Sequence, residues 1–244
     1  MGTLILWLGW LFFNAGSSAA ISGGSNLDAE RAIMNTILAP ASGGLLTFWT
    51  RKHITGENKH IRMDFQALTN GILAGLVAVT ASCASIQPWA AVLTGMIGSV
   101  TYSTACLVMN KLQIDDPLEA FQVHGCCGVI GCITLAFFNL ETGIIYGGKT
   151  TIEITMELDE DTGDIIEVKN KTIGGGELLG IQIAGCLIII LWSGGLSAIF
   201  FFISNQAGAL RLSEQDEILG GDLHYFGPME FHGVPADYDM VETM

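Results

Sequence analysis

Long apolar runs recur along the chain, separated by short polar or charged stretches, at about 3–21, 31–49, 66–86, 90–112, 117–140 and 177–204. At 1.5 Å per residue each is long enough to cross about 30 Å of hydrocarbon, so the pattern predicts six transmembrane helices. The first run, which contains LWLGWLFFNAGSSAA, competes with a signal peptide because it is N-terminal and ends in small residues. It has no basic leader, and Trp7, Trp10 and Asn14 give it the polar inner face of a packed helix, so the spanning reading is preferred. After a polar link at 22–30, the second run carries Pro40, the small stretch 39–44 and Trp49 at an interface position. Gly71 and Gly75 form a GxxxG pair in the third, Gly95 and Ser99 make one face of the fourth small, and 87–89 reads as a tight turn between them. The sixth run is interrupted by Trp192-Ser193-Gly194-Gly195, which predicts a tilted or bent helix.

Between the fifth and sixth runs the period changes. TIEITMEL and DIIEV alternate on either side of DEDTG, which predicts an acidic β-hairpin within 147–172. Its aspartates resemble the start of a calcium loop, but the spacing around Gly163 does not fit one, and solvated acid is the better reading. Asn170-Lys171-Thr172 is a glycosylation sequon, which matters only if this segment is extracellular. The expected organisation is a membrane region over 1–206 and a tail over 207–244, an all-α polytopic membrane protein with one small hairpin.

Composition supports this class, since 50% of the residues are hydrophobic and 14% charged. The net charge of −14 is local: seven acidic residues lie in 147–172 and eight after Gln206. No basic stripe exists to meet phosphates, which argues against nucleic acid as a partner. All six cysteines lie in apolar runs without metal-ligand spacing and read as small packing residues. The loop 51–64 is the most basic, and placing it in the cytoplasm puts six Lys/Arg inside against four outside. Both chain ends are then cytoplasmic and the hairpin is extracellular.

The stretch IDDPLEAFQVHGCCGVIGC, 114–132, carries the candidate chemistry. Asp115 and Asp116 stand at the edge of the fifth run, Pro117 is expected in its first turn, and His124 follows about 12 Å further on, roughly mid-bilayer. A histidine there reads either as a core residue bonded to a neighbouring helix or as a functional group. Membrane surroundings favour function, because an ionisable side chain facing lipid has no partner.

In order, these stretches resemble the Amt branch of the ammonium transporter family (Amt/MEP/Rh). GWLFFNAGS at 9–17 is similar to that family's sixth helix, TNGILAGLVAVTA at 69–81 to its eighth, and DDPLEAFQVHGCCGVIG at 115–131 to its tenth, while LRLSEQDEILGGD at 210–222 resembles its cytoplasmic segment. The resemblance implies the sixth to eleventh of eleven spanning helices, in a fold of two inverted halves assembled as a trimer with one pore per subunit. It implies a transporter of ammonium or ammonia in the plasma membrane, not an enzyme, with no cofactor or metal. Phe13 matches an inner pore-gating phenylalanine, Ser17 a hydroxyl of the outer ammonium site, and His124 the second of two pore histidines. Trp10 joins this substrate and pore set. Asp115 and Asp116 match an acidic pair taken as structural, since acid suits a helix N-terminus.

The sequence begins inside the sixth-helix motif, so the expected partners are lipid and either further copies in a homotrimer or the missing N-terminal half. The tail departs from the family's usual leucine before the aspartate at Gly220-Gly221-Asp222. Three functions remain open from sequence: an ammonium channel-transporter, a non-conducting ammonium sensor on the same fold, and an inactive truncated fragment lacking the first five helices.

Overall fold

Small residues decide where the helices meet. The computed structural model describes residues 1–18, 26–54, 65–155, 168–211, 213 and 217. Its elements are α1 (Gly2–Gly16), α2 (Asn26–Ile54), α3 (Phe65–Thr80), α4 (Pro88–Leu112), a π-helical segment (Phe121–Cys126) running into α5 (Cys127–Phe138), strands β1 (Lys149–Thr155) and β2 (Val168–Gly174), and α6 (Gly175–Gln206). The chain forms two compact units, Met1–Ile188 and Ile189–Met244, which part within α6.

In the first unit α2 packs on α1, α3 and α4, and α3 packs also on α4, α5 and the π-helix. A Cβ at Gly75 would stand 2.6 Å from the Ala39 carbonyl oxygen, and one at Gly95 would overlap that same oxygen. The GxxxG pair and the small face of α4 thus meet α2 through backbone, as the sequence predicts. A third approach brings α5 onto α3, where a Cβ at Gly131 would lie 2.5 Å from the Ala78 carbonyl oxygen. Polar side chains fill the interior between them. Thr47 and Ser99 hydroxyls share a 2.6 Å hydrogen bond between α2 and α4, and Ser42 Oγ lies 2.9 Å from the Ala39 and Val92 carbonyls.

Loops after α3 and α5 are tied into the bundle. Asn35 is fully buried and its amide donates to the carbonyls of Cys83 (2.8 Å) and Ile86 (2.9 Å), while Arg31 donates to that of Ala84 at 2.9 Å. The amides of Glu141 and Thr142 donate to Asn139 Oδ1, and Leu140 N–H donates to the Ser85 carbonyl. These bonds meet the demand that buried backbone groups be paired.

Several boundaries differ from the sequence reading. α1 stops at Gly16, whereas the run was expected to continue to 21, and α2 starts within the stretch expected to be a polar link. Gln87-Pro88-Trp89 is not the turn: Pro88 opens α4 with Gln87 as its N-cap, because proline's missing N–H costs nothing there, and the turn lies at 81–85. The largest shift concerns the fifth run. Residues 113–119 are not helical, with Gln113 and Glu119 both in the left-handed region, and the helix has Ala120 as its N-cap. Pro117 would suit a first helical turn as Pro88 does, but Glu119 in the left-handed region interrupts the chain there, so the helix starts only after it.

The hairpin is present, antiparallel, with Lys149 opposite Gly174 and Thr155 opposite Val168. Its second strand, Val168–Gly174, takes in the last residue of DIIEV and the sequon, and Asn170 pairs with Glu153, while 164–167 of DIIEV lie outside the described residues. The expected DEDTG turn lies outside the described residues. Among the described residues, three helices are long and apolar enough to cross a membrane: Pro88–Leu112, Phe121–Phe138 and Gly175–Gln206. α1 and α3, at 15 and 16 residues, are apolar but short. α2 has 29 residues but includes Asp28, Glu30, Arg31, Arg51 and Lys52, which lower its apolar character. In the second unit the side chains of 189–202 are all exposed, and Arg211 pairs with Glu217 at 2.8 Å on the surface.

The close approaches give a direct test. Gly75→Ala and Gly95→Ala each force backbone apart and are expected to cost about 1–3 kcal/mol, read as a lower midpoint of thermal unfolding in detergent. Gly180→Ala is the control, since nothing lies within 4 Å of its Cβ position, and it is expected to leave the midpoint equal or higher.

Candidate functional site

The inner face of α1 is aromatic and polar, and each of its polar groups finds a partner. Trp7 Nε1 donates to the Thr36 carbonyl (2.9 Å), Trp10 Nε1 to Thr80 Oγ1 (2.8 Å), and the buried Asn14 amide to Thr36 Oγ1 (2.9 Å). The Thr80 hydroxyl in turn donates to the Leu76 carbonyl at 2.7 Å. Indole fits this role because one edge is a donor and the rest is apolar surface. Trp10 therefore fixes α1 to α3, and its ring meets Phe13 edge-on at 6.0 Å.

Phe13 itself is 59% exposed. Ser17, the C-cap residue of α1, is exposed, and its hydroxyl donates to the Phe13 carbonyl at 2.7 Å. Trp10, Phe13 and Ser17 thus belong to one element, Trp10 and Phe13 within α1 and Ser17 at its C-cap.

His124 stands on another element. It is exposed and is the fourth residue of the π-helix, one turn from the helix start, with Asp116 ahead of the helix and not in its first turn. A π-helical segment at this position is itself informative, because such insertions recur at functional sites. α1 packs on α2 and α3, while the π-helix packs on α3, α4 and α5, so α3 is the element that both candidate groups share.

The acidic pair separates. Asp116 Oδ2 accepts the Phe121 backbone N–H at 2.8 Å, satisfying a donor that the helix start leaves unpaired, while Asp115 is exposed. Sequence reasoning passed over the third acidic residue of the same stretch, Glu119. Its carboxylate Oε2 accepts from Asn70 Nδ2 (2.7 Å) on α3 and from the fully buried Tyr102 hydroxyl on α4. The available signal was an acidic side chain directly ahead of an apolar run, beyond the pair that suits the helix start.

Among the described residues no group of three or more His, Cys, Asp or Glu side chains is placed to hold a metal. His53 falls in the last turn of α2, and His60 lies outside the described residues.

The sequence profile of the Ammonium Transporter Family matches residues 1–231. The chain belongs to the ammonium transporter family. It is 32% identical over 239 residues to Ammonium transporter 1 member 3 of Solanum lycopersicum, covering 93% of this chain and 48% of that protein. It is 33% identical over 224 residues to Ammonium transporter 3 of Dictyostelium discoideum, covering 91% and 47%. Among solved structures it is similar to a Sensor Amt Protein, with TM-score 0.70 and 31% identity over 92% of this chain and 47% of that one. Likeness to Saccharomyces cerevisiae Mep2 has TM-score 0.66 and 27% identity, over 88% and 43%. The chain spans about half the length of the relatives it matches, and its fold matches about half of the Amt/Mep fold. The family is one of membrane transporters and not of enzymes.

Trp10 offers a measurable link between α1 and α3. Trp10→Phe keeps the ring and removes the donor, and is expected to destabilise the chain by about 1 kcal/mol. A double-mutant cycle with Thr80→Val should show a coupling of similar size by thermal unfolding, and full additivity would refute the bond's role.

Proposed function

We propose that this chain forms one wall of a path for ammonium or ammonia through a membrane, with His124 as its polar group, Ser17 at an outer ammonium site, Phe13 as an inner gating phenylalanine and Trp10 in the same set. Membership of the ammonium transporter family supports the substrate, and the exposed histidine on an apolar helix is the observation that carries the site. Moving a bare cation into a low-dielectric pore costs tens of kcal/mol in the Born limit. The lower-energy route binds the cation outside, strips a proton and lets the neutral molecule cross. A hydroxyl such as that of Ser17 and aromatic faces suit the binding step. A neutral imidazole, with one acceptor and one donor, suits proton transfer or contact with ammonia.

In this reading all six helices cross the membrane, with α1, α3 and α2 counted as spans beside the three that qualify by length and composition. The basic loop and the tail are cytoplasmic, in the plasma membrane, and the hairpin with Asn170 is extracellular. His124 and Phe13 are both exposed in the chain alone. Closing the path then takes helices beyond these residues, supplied by an N-terminal half or by other copies in a trimer.

A second reading, an ammonium sensor that binds without conducting, draws support from likeness to the Sensor Amt Protein. Uptake of labelled methylammonium into liposomes separates the two. The expected result is saturable uptake by 1–244 reconstituted with an N-terminal half from a relative, little by 1–244 alone, and loss with His124→Ala. His53→Ala and His60→Ala should leave uptake intact. Binding of methylammonium without uptake in any combination would favour the sensor, and equal uptake by His124→Ala and its parent would remove the histidine's role.

The orientation has its own test. Expression in a glycosylating host should add a glycosidase-sensitive mass that Asn170→Gln removes. An unchanged mass in the variant would place the hairpin on the other side.

A further inference from the structure

We propose that Glu119 is the residue that positions His124, by locking the start of the π-helix to α3 and α4. The inference rests on the reading of His124 as the path's polar group, and it adds a residue that the site itself does not contain.

Glu119 is held at four points. Its N–H donates to the Asp116 carbonyl (2.9 Å), and its own carbonyl accepts the Val123 N–H (3.0 Å), which joins the preceding turn to the first turn of the helix. Its side-chain Oε2 accepts from Asn70 and from Tyr102, as described above. Asn70 lies in the second turn of α3 and Tyr102 is buried in the middle of α4, so a single oxygen ties the segment to two helices.

The backbone at Glu119 explains why such a tether is needed. With φ of 56° it occupies the left-handed region, which a side chain with a Cβ rarely adopts. Such a conformation persists only where the surroundings over-determine it. Two residues later the chain enters π-helical geometry, another departure from the commonest backbone state. His124 lies five residues beyond Glu119, and a register slip of one residue would swing it by about 100° around the helix axis. The face His124 presents therefore depends on where Glu119 is anchored. Asp116 cannot fix this alone, because its bond to the Phe121 N–H ties the turn to the helix but not to α3 or α4.

Glutamine separates placement from charge. Its amide oxygen can accept from both Asn70 and Tyr102, yet it cannot ionise at working pH. The first measurement is the rate at which diethyl pyrocarbonate acylates His124 in purified 1–244, read by peptide mass spectrometry against the other four histidines of the chain. Removing both donors with Tyr102→Phe and Asn70→Ala should change the His124 rate several-fold while leaving the other histidines as they were. Glu119→Ala should do the same, and Glu119→Gln should restore the parental rate. An unchanged His124 rate in the Tyr102→Phe, Asn70→Ala variant overturns the proposal, and so does failure of Glu119→Gln to restore it.

Uptake in the reconstituted assembly is the second arm. Loss of up to about a hundredfold is expected for the donor-less variant, as for other misplacements near 1 Å, with parental uptake for Glu119→Gln. Uptake lost in Glu119→Gln at a parental His124 rate would assign Glu119 a charge role and overturn positioning. Undiminished uptake in His124→Ala would instead remove the transport role of the histidine, and the acylation rates would still decide whether Glu119 places it.

Discussion

The first unit depends on one constraint: the Ala39 carbonyl sits where two other helices pass with no side chain between. Gly75 of α3 and Gly95 of α4 both face that oxygen, and a methyl on either would overlap it or press against it. Between helices in lipid, the hydrophobic effect that drives packing in water is largely absent, and van der Waals contact and interhelical hydrogen bonds take over. Close backbone approach maximises the first. It also brings hydroxyls within reach of one another, which is why Thr47 and Ser99 meet across α2 and α4.

That three-helix core sets the frame for both candidate groups. α3 is pressed against α2 along Gly71 and Gly75, and from its opposite ends Thr80 receives Trp10 while Asn70 holds Glu119. One end thereby positions α1, with Phe13 and Ser17, and the other positions the segment that carries His124. Neither candidate group touches the glycine contacts, yet both inherit their placement from them. A substitution deep in the core would be felt at the site through α3, without any change of site chemistry.

How much of this the sequence shows depends on whether the signal is local. The small-residue faces were legible because spacing on a helix fixes which residues share a face, and Gly75, Gly95 and Ser99 sit where that spacing puts them. The inner face of α1 was legible for the same reason, with Asn14 buried as expected. The start of the fifth helix was not. Pro117 is compatible with a first helical turn, whereas the left-handed Glu119 that replaces it is bonded to Asn70 and Tyr102, residues 49 and 17 positions away, which no local pattern marks. Six apolar runs likewise give three qualifying spans among the described residues, because α1 and α3 break off at turns that pattern alone does not mark and α2 extends into charged residues at both ends. The family resemblance rested on local motifs, and the match over 1–231 shows it.

The distribution of polarity carries the last step. Buried positions include Asn14, Asn35, Thr36, Thr47, Thr94, Ser99 and Gln122, while Leu, Ile, Phe and Trp side chains dominate the outside, most densely between Leu187 and Ile203 on α6. In water each such side chain would forgo about 1.5–3 kcal/mol of burial, so the exterior is suited to lipid. His124 breaks the pattern, because it is an ionisable group on the outside of an apolar helix. Lipid satisfies the rest of that surface but offers an imidazole no partner. Covering α6 and covering His124 are thus different requirements: the first is met by hydrocarbon, and the second needs another polar surface or a path that admits a polar solute.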